Sequence, residues 1–237
     1  MQNEIPVAPI ILIIFLIVGF LLFVGMIAFF IFLFTIAAKR RRYDPKRGNE
    51  MQIAAKQIGF SFTPEAELSA IPFFSNFELF EGSPLKFENL MTGNLNGHNA
   101  AIFDLAYRNV SGRAGSGATT SRQTMCVIDS NKLNLPEFYL RPEGVLEKVL
   151  NAVDRIDIDF PERPDFSKKF LLYGKHALLI RQLFTAPLLD FFEKNPNICA
   201  FGGGNFLFVY QSRTLSPAAQ IQNWLRLLSF LSNLVRR

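Results

Sequence analysis

The residue types that serve as nucleophiles or acid–base catalysts are scarce in this sequence. It contains two cysteines, Cys126 and Cys199, and two histidines, His98 and His176. A structural zinc site needs closely spaced Cys and His ligands, and neither a Cys-x-x-Cys pair nor a close Cys/His pair occurs. No serine lies in a Gly-x-Ser-x-Gly turn, so the pattern of an α/β-hydrolase is missing too. We expect no metal, no cofactor, two buried cysteines with no catalytic role, and an exposed His98 beside a turn.

One polar set supports an enzymatic alternative. Arg141 and Glu143 follow a short predicted strand, and His176 lies at the start of a predicted helix. Glu and His are residue types that serve as general acids and bases. The alternative hypothesis is therefore a membrane-tethered enzyme that acts on a lipid or envelope precursor.

The glycine-rich and acidic segments do not match known phosphate or cation motifs. Gly112, Gly115 and Gly117 lie in a predicted loop, but no Gly-Lys-Ser/Thr follows them and no helix is predicted to begin there. Residues 154–165 contain five acidic side chains but lack the glycine and the terminal glutamate of an EF-hand loop. These acids are predicted to be a solvated face, and residues 202–204 a hairpin turn.

The basic residues are concentrated in one short segment. The formal net charge is +5, and residues 39–47 contain six basic residues and one acidic residue, so basic and acidic residues are equal in number elsewhere. A nucleic-acid-binding domain normally has a basic face of its own, so we predict no nucleic-acid partner. The segment instead predicts contact with anionic lipid headgroups, at about 1 kcal/mol per basic residue. The predicted membrane-surface residues are Lys39, Arg40, Arg41, Arg42, Lys46 and Arg47.

A long apolar run precedes this basic segment. From Ile10 to Ala38 the chain has 29 residues without a charge, and about 20 apolar residues suffice to cross a bilayer. A cleaved signal peptide has a basic start and a shorter apolar stretch, whereas the residues before Ile10 include Glu4 and no Lys or Arg. We predict a transmembrane helix over residues 10–38, after a short extracytoplasmic tail over residues 1–9.

The charges that flank this run predict the orientation of the protein. Lys39 and the three arginines after it directly follow the run, and such residues stay on the cytoplasmic side. The protein is thus expected to be a single-pass protein of the cell (inner) membrane with its N-terminus outside. Residues 39–50 are predicted to be a basic juxtamembrane linker, and residues 51–237 a cytoplasmic domain in which the cysteines stay reduced.

The cytoplasmic domain is predicted to have an α+β fold with antiparallel sheet(s) and helices on one face. Asn96-Gly97 between two strand-like runs is a strong hairpin signal. The last third reads β-α-β-β-α, beginning with a strand over residues 166–173. Pro187 predicts a kink or two shorter helices, and Ser216 is predicted to cap a final helix that starts at Pro217. Two packed subdomains, over residues 51–153 and 154–237, are an alternative to a single one.

Two further helices and one loop are predicted from local patterns. Short helices are expected over residues 50–59 and 143–153. Val110 to Ser121 consists largely of Gly, Ser, Ala and Thr, which predicts a flexible loop. If this loop orders on a partner, Arg113 and Arg122 supply the contacts.

Several segments resemble a group of uncharacterised bacterial single-pass membrane-anchored proteins. They are Phe-Ser-Lys-Lys-Phe-Leu-Leu-Tyr-Gly (166–174), Leu-Leu-Asp-Phe-Phe (188–192) and Gly-Asn-Phe-Leu-Phe-Val-Tyr (204–210). The resemblance implies a bacterial origin and brings no functional residue with it. The predicted anchor, the neutral domain and the lack of convergent catalytic side chains together predict a non-enzymatic interaction module or accessory subunit of a membrane complex, with the bilayer and other membrane proteins as partners.

Overall fold

The computed structural model describes residues 7–39, 44–67, 85–109, 119–145 and 156–235. The chain forms two compact units, Met1–Asp44 and Pro45–Arg237. The first unit contains helix α1 (Val7–Lys39), which is 33 residues long and includes the whole charge-free run. Its side chains are described from Leu16 to Phe32, and all of them are exposed.

Within the residues that the structure describes, no helix meets the combined length and hydropathy requirement for a membrane span.

The second unit is built on one sheet of nine strands. Each strand is antiparallel to its neighbours, in the order β1-β2-β3-β4-β9-β8-β5-β7-β6. Strands from the two halves of the domain alternate, because β9 and β8 lie between β4 and β5. The halves 51–153 and 154–237 therefore share a single sheet and do not each form one. The strands are β1 (Ser61–Ala66), β2 (Leu85–Leu95), β3 (His98–Asn109), β4 (Thr119–Asp129), β5 (Leu135–Pro142), β6 (Ile156–Asp157), β7 (Phe170–Gly174), β8 (Cys199–Gly204) and β9 (Phe206–Tyr210).

The helices of this unit cover one face of the sheet. They are α2 (Pro45–Gln57), α3 (Pro164–Lys169), α4 (Ala177–Leu183), α5 (Ala186–Lys194) and α6 (Ile221–Leu234), the last preceded by a 3₁₀ turn (Ala218–Gln220). Buried residues of all five helices join a single apolar cluster with side chains from one sheet face. The predicted α+β fold, with an antiparallel sheet and helices on one face, is confirmed.

The opposite face of the sheet carries a second buried apolar cluster. It is rich in aromatic side chains, and Phe201 and Phe208 stack with 4.2 Å between their ring centroids. Its buried members lie on the strands, and the described residues of α2 to α6 do not contribute to it. Both faces of the sheet are therefore apolar, which matches strands that read as nearly continuous apolar runs.

Short-range sequence signals gave correct elements. Leu95 pairs with His98 across the predicted hairpin turn, and Asn96 and Gly97 both have positive φ, 53° and 84°. This is the backbone that the Asn-Gly pair favours. Pro187 lies in the first turn of α5 and separates it from α4, which confirms the predicted division into two helices.

Some predicted boundaries were wrong. Phe166 lies in α3 and not in a strand: Pro164 starts this helix, and Phe166 packs on Phe170 with 5.3 Å between ring centroids. The first helix of the globular unit begins at Pro45, so residues 45–50 belong to α2 and not to a linker. Residues 143–145 form a turn, and the rest of the helix predicted over 143–153 lies outside the described residues.

Ser216 does not cap the last helix. Its hydroxyl accepts a hydrogen bond from the indole N–H of Trp224 at 2.7 Å, and the chain forms the 3₁₀ turn before α6 begins at Ile221. A buried indole N–H needs an acceptor, and this requirement determines the role of the serine. The buried residues of α6 pack in the helix-side core.

Candidate functional site

The first turn of α2 is joined to the sheet by a buried ion pair. Arg47 donates from Nε to Oδ2 of Asp104 at 2.7 Å and from Nη2 to Oδ1 at 2.8 Å. The two side chains are 15% and 4% exposed, respectively. Such two-pronged, charge-assisted pairs between arginine and a carboxylate are strong and geometrically specific.

Asp104 has its acceptor capacity filled. Besides Arg47, its Oδ2 accepts from the side-chain amide of Asn89 at 2.8 Å, and its Oδ1 accepts from the hydroxyl of Thr124 at 2.7 Å. Asn89 has a φ of 54° and lies where the β2–β3 register shifts between Glu88 and Met91. Asn tolerates this left-handed conformation. Because each carboxylate oxygen already accepts two bonds, Asp104 is a structural group with no free position for a substrate.

The network continues to the C-terminal part of the chain. Nη2 of Arg47 is 3.1 Å from both Oγ1 of Thr124 and the carbonyl oxygen of Ser216. The backbone N–H of Ser216 donates to Oγ1 of Thr124 at 2.9 Å, and the Ser216 hydroxyl accepts the hydrogen bond from the indole N–H of Trp224. We call Arg47, Asn89, Asp104, Thr124 and Ser216 the Arg47 cluster. It joins α2, three strands and the segment before α6.

The Arg47 cluster changes the interpretation of one of the predicted membrane-surface residues. Arg47 is committed to the folded domain, whereas Lys46 beside it is exposed. The role of Lys46 at a lipid surface stays a prediction. Asp104 was missed, although an isolated acid between Phe103 and Leu105 in an apolar strand signals a buried, paired carboxylate.

The other predicted basic residues have different outcomes. Arg122 lies in β4 and not in a loop, with its Nη1 3.7 Å from a carboxylate oxygen of Glu88. Glu88 is buried and also accepts from Lys86 at 2.6 Å. Arg122 therefore lies in β4, which begins at Thr119, and not in the predicted loop; its contact with a partner stays a prediction. Arg113, like most of the predicted loop 110–121, lies outside the described residues.

The basic residues after α1 stay predictions. Lys39 is the last residue of α1. Arg40, Arg41 and Arg42 lie outside the described residues.

The residues proposed for an enzyme are not brought together. Arg141 donates to the carbonyl oxygen of Val145, and its guanidinium lies 5.9 Å from the ring centroid of Tyr173. Glu143 follows the end of β5, and its N–H donates to Lys169. His176 follows the opposite end of β7 and is exposed. Because β5 and β7 are antiparallel, Glu143 and His176 lie at opposite ends of the strand pair.

An open pocket lies at one end of the sheet, on the face away from the helices. Its volume is about 410 Å³. It is lined by Thr92, Gly93, Asn99, Ala100, Ala101, Val127 and Asp129. The lining contains one carboxylate but no nucleophile with a base beside it. None of the three residues predicted for an enzyme is part of the lining. Within the described parts of the chain, no group of three His, Cys, Asp or Glu side chains is arranged to hold a metal ion.

The titratable residues Cys126 and His98 are both buried. His98 is 6% exposed, so its predicted exposure was wrong. Burial, with a smaller contribution from the charge of Asp104, raises the pKa of the Cys126 thiol far above its usual value. The buried, uncharged thiol is therefore unreactive.

We predict that neither native cysteine will react with maleimide in the folded protein, since both side chains are fully buried. Unfolding in guanidinium should make both react, and a cysteine introduced at the exposed Lys194 should react at once. Mass spectrometry would count the labels. Rapid modification of native Cys126 would show that β4 opens readily.

Comparisons with known proteins give one structural relationship. No protein family and no curated protein matches the sequence. Among solved structures, the crystal structure of the mycobacterial trehalose monomycolate transport factor A, TtfA, is similar, with a TM-score of 0.56 and 18% sequence identity. The match covers 80% of this chain and 94% of that chain. At this identity the similarity shows a shared fold.

Proposed function

We propose that this protein is a membrane-tethered, non-enzymatic accessory subunit of a membrane protein complex. Helix α1 is the anchor, and the unit Pro45–Arg237 is the interaction module on the cytoplasmic side. The observation that carries this proposal is the charge-free run Ile10–Ala38, which is followed at once by four basic residues, 39–42. The Arg47 cluster then joins the first turn of the domain to its sheet.

Several features support the anchor. The described side chains Leu16–Phe32 are exposed and apolar apart from two glycines, and the charge-free run extends beyond them from Ile10 to Ala38. The basic residues that follow favour a cytoplasmic domain and contact with anionic lipid. TtfA, which shares the fold, is named as a trehalose monomycolate transport factor, and this fits an accessory role in a membrane complex.

The anchor is tested by placing charge in the middle of α1. Leu21→Arg with Val24→Arg is expected to release the protein from membranes during carbonate extraction. Each arginine costs about 2.5–3.5 kcal/mol at the centre of a span. Wild type and the apolar control, Leu21→Phe with Val24→Phe, should stay in the membrane fraction. Wild type recovered in the soluble fraction would contradict the anchor.

The accessory role is separated from the enzymatic alternative by a second experiment. Glu143→Ala and His176→Ala change exposed side chains, so folding should be unaffected. We expect both variants to co-purify with the same membrane proteins as wild type and to leave the envelope lipid composition of the cells unchanged. Accumulation of a lipid precursor in either variant would favour the enzyme.

A further inference from the structure

The helix-covered side of the globular unit has an unusual surface. Among the described residues of this unit, every large apolar side chain that is strongly exposed lies on a helix. Ile53 on α2 is 57% exposed, Leu178 and Leu179 on α4 are 78% and 44% exposed, and Phe230 on α6 is 51% exposed. Leu178 and Leu179 are adjacent at the start of α4, where they form an apolar tip. Singly exposed apolar residues are normal in soluble proteins, so the adjacent pair Leu178 and Leu179 is the part of this set that points to a contact surface.

The charge of the same layer is positive. Helices α2 to α6 carry eight basic and four acidic residues. Two of the four acids, Asp190 and Glu193, are already paired with Arg163, which lies just before α3. The single positive charge of Arg163 offsets one of these two negative charges. Without Arg47, which the Arg47 cluster pairs with Asp104, the five helices carry seven basic and four acidic residues.

Two basic residues flank the leucine tip. Lys175 precedes it and is exposed, and Arg181 follows it with its guanidinium 5.3 Å from the ring centroid of Phe160. Basic side chains around exposed Leu and Phe are typical of surfaces that lie in the headgroup region of a bilayer, with the apolar side chains reaching the acyl boundary. Along the chain, α2 of this layer is the next helix after α1.

We propose that the outer surface of the helix layer docks on the anionic surface of the membrane, with Leu178 and Leu179 inserted among the lipid headgroups. This inference rests on the proposed function, because the anchor keeps the domain close to the bilayer. A tether turns a weak second contact into an intramolecular one at high effective concentration. A few exposed apolar residues and a modest excess of charge then suffice for stable contact.

The test uses the full-length protein in vesicles of phosphatidylcholine alone or of phosphatidylcholine mixed with phosphatidylglycerol. A fluorophore is attached to Leu178→Cys, and to Asn99→Cys, an exposed position on the other face of the sheet, as the control. The buried native cysteines stay unlabelled. Lipids that carry a quencher in the headgroup region are expected to quench the label at position 178 in anionic vesicles and much less in neutral ones. The label at position 99 should not be quenched in either type of vesicle.

Charge reversal provides a matched pair of variants. Lys175→Glu should abolish most of the quenching at position 178, whereas Lys132→Glu, which makes the same charge change outside the helix layer, should leave it intact. High salt should weaken the contact as well. Unquenched fluorescence at position 178 in anionic vesicles would overturn the docking proposal, and so would equal quenching at positions 178 and 99. Flotation with the vesicles tests the anchor separately. A protein that floats with the vesicles but is not quenched would contradict the docking proposal and leave the proposed function intact.

Discussion

Replacing Asp104 with alanine is expected to lower the free energy of unfolding by about 3–5 kcal/mol, the usual cost of removing one partner of a buried ion pair. The side chain of Arg47 would keep its charge in a site where it is only 15% exposed. Asn89 and Thr124 would lose their carboxylate partner at the same time. Chemical denaturation of the purified protein, followed by the fluorescence of Trp224, would measure the change.

Two control variants separate the effect of breaking the ion pair from the effect of losing a side chain. Asp129→Ala removes an acid from the end of the same strand β4 that supplies Thr124, and it should cost far less because Asp129 is only half-buried. Arg47→Met combined with Asp104→Leu should recover much of the loss, because paired apolar replacement of a buried ion pair is often neutral. A value for Asp104→Ala within about 1 kcal/mol of wild type, the range of an exposed pair, would show that the site is well hydrated.

The same substitution bears on the proposed function. The Arg47 cluster holds the start of α2, through which the chain enters the domain. If the domain still folds without it, the first turn of α2 should fray and the effective length between α1 and the sheet should increase. Protease cleavage within residues 45–50 should then become faster in Asp104→Ala than in Asp129→Ala. Equal cleavage rates would mean that the rest of α2 holds the helix start in place.

The parts of the fold that were predictable depend on neighbouring residues. Asn96-Gly97 fixes its turn through its own backbone preference, and Pro187 separates two helices because it lacks an N–H. The apolar strands and the face on which the helices pack follow from composition and periodicity. None of these requires knowledge of which distant segments meet.

The parts that were missed depend on distant residues. Arg47 and Asp104 are 57 positions apart in the chain, and the link from Arg47 to Ser216 spans 169. A basic residue that follows a long apolar run is therefore indistinguishable by pattern from the neighbouring basic residues that are predicted to bind lipid. Ser216 had the local pattern of a helix cap, but the need of the buried Trp224 for an acceptor prevailed. The strand order, in which β9 and β8 separate β4 from β5, is likewise set by packing between distant segments.

A second large effect is expected from Gly174→Ala, at the end of β7. A Cβ atom at this position would lie 2.2 Å from Cδ1 of Ile180 and 2.5 Å from the backbone oxygen of Glu137. Ile180 is a fully buried residue of α4, so the added methyl group would push the helix and β5 apart. Overpacking of this kind costs about 1–3 kcal/mol, which should appear as a lower melting temperature.

Gly144→Ala is the matched control for this experiment. A Cβ atom there would meet no atom within 4 Å. The same change of residue should therefore leave stability unchanged, or raise it by about 0.4–1 kcal/mol through a less flexible unfolded chain. Because α4 carries the exposed Leu178 and Leu179, Gly174→Ala should also reduce lipid quenching at position 178 if the helix shifts. Equal melting temperatures for the two alanine variants would show that β7 and α4 can separate at little cost, and the leucine tip would then rest on a mobile helix.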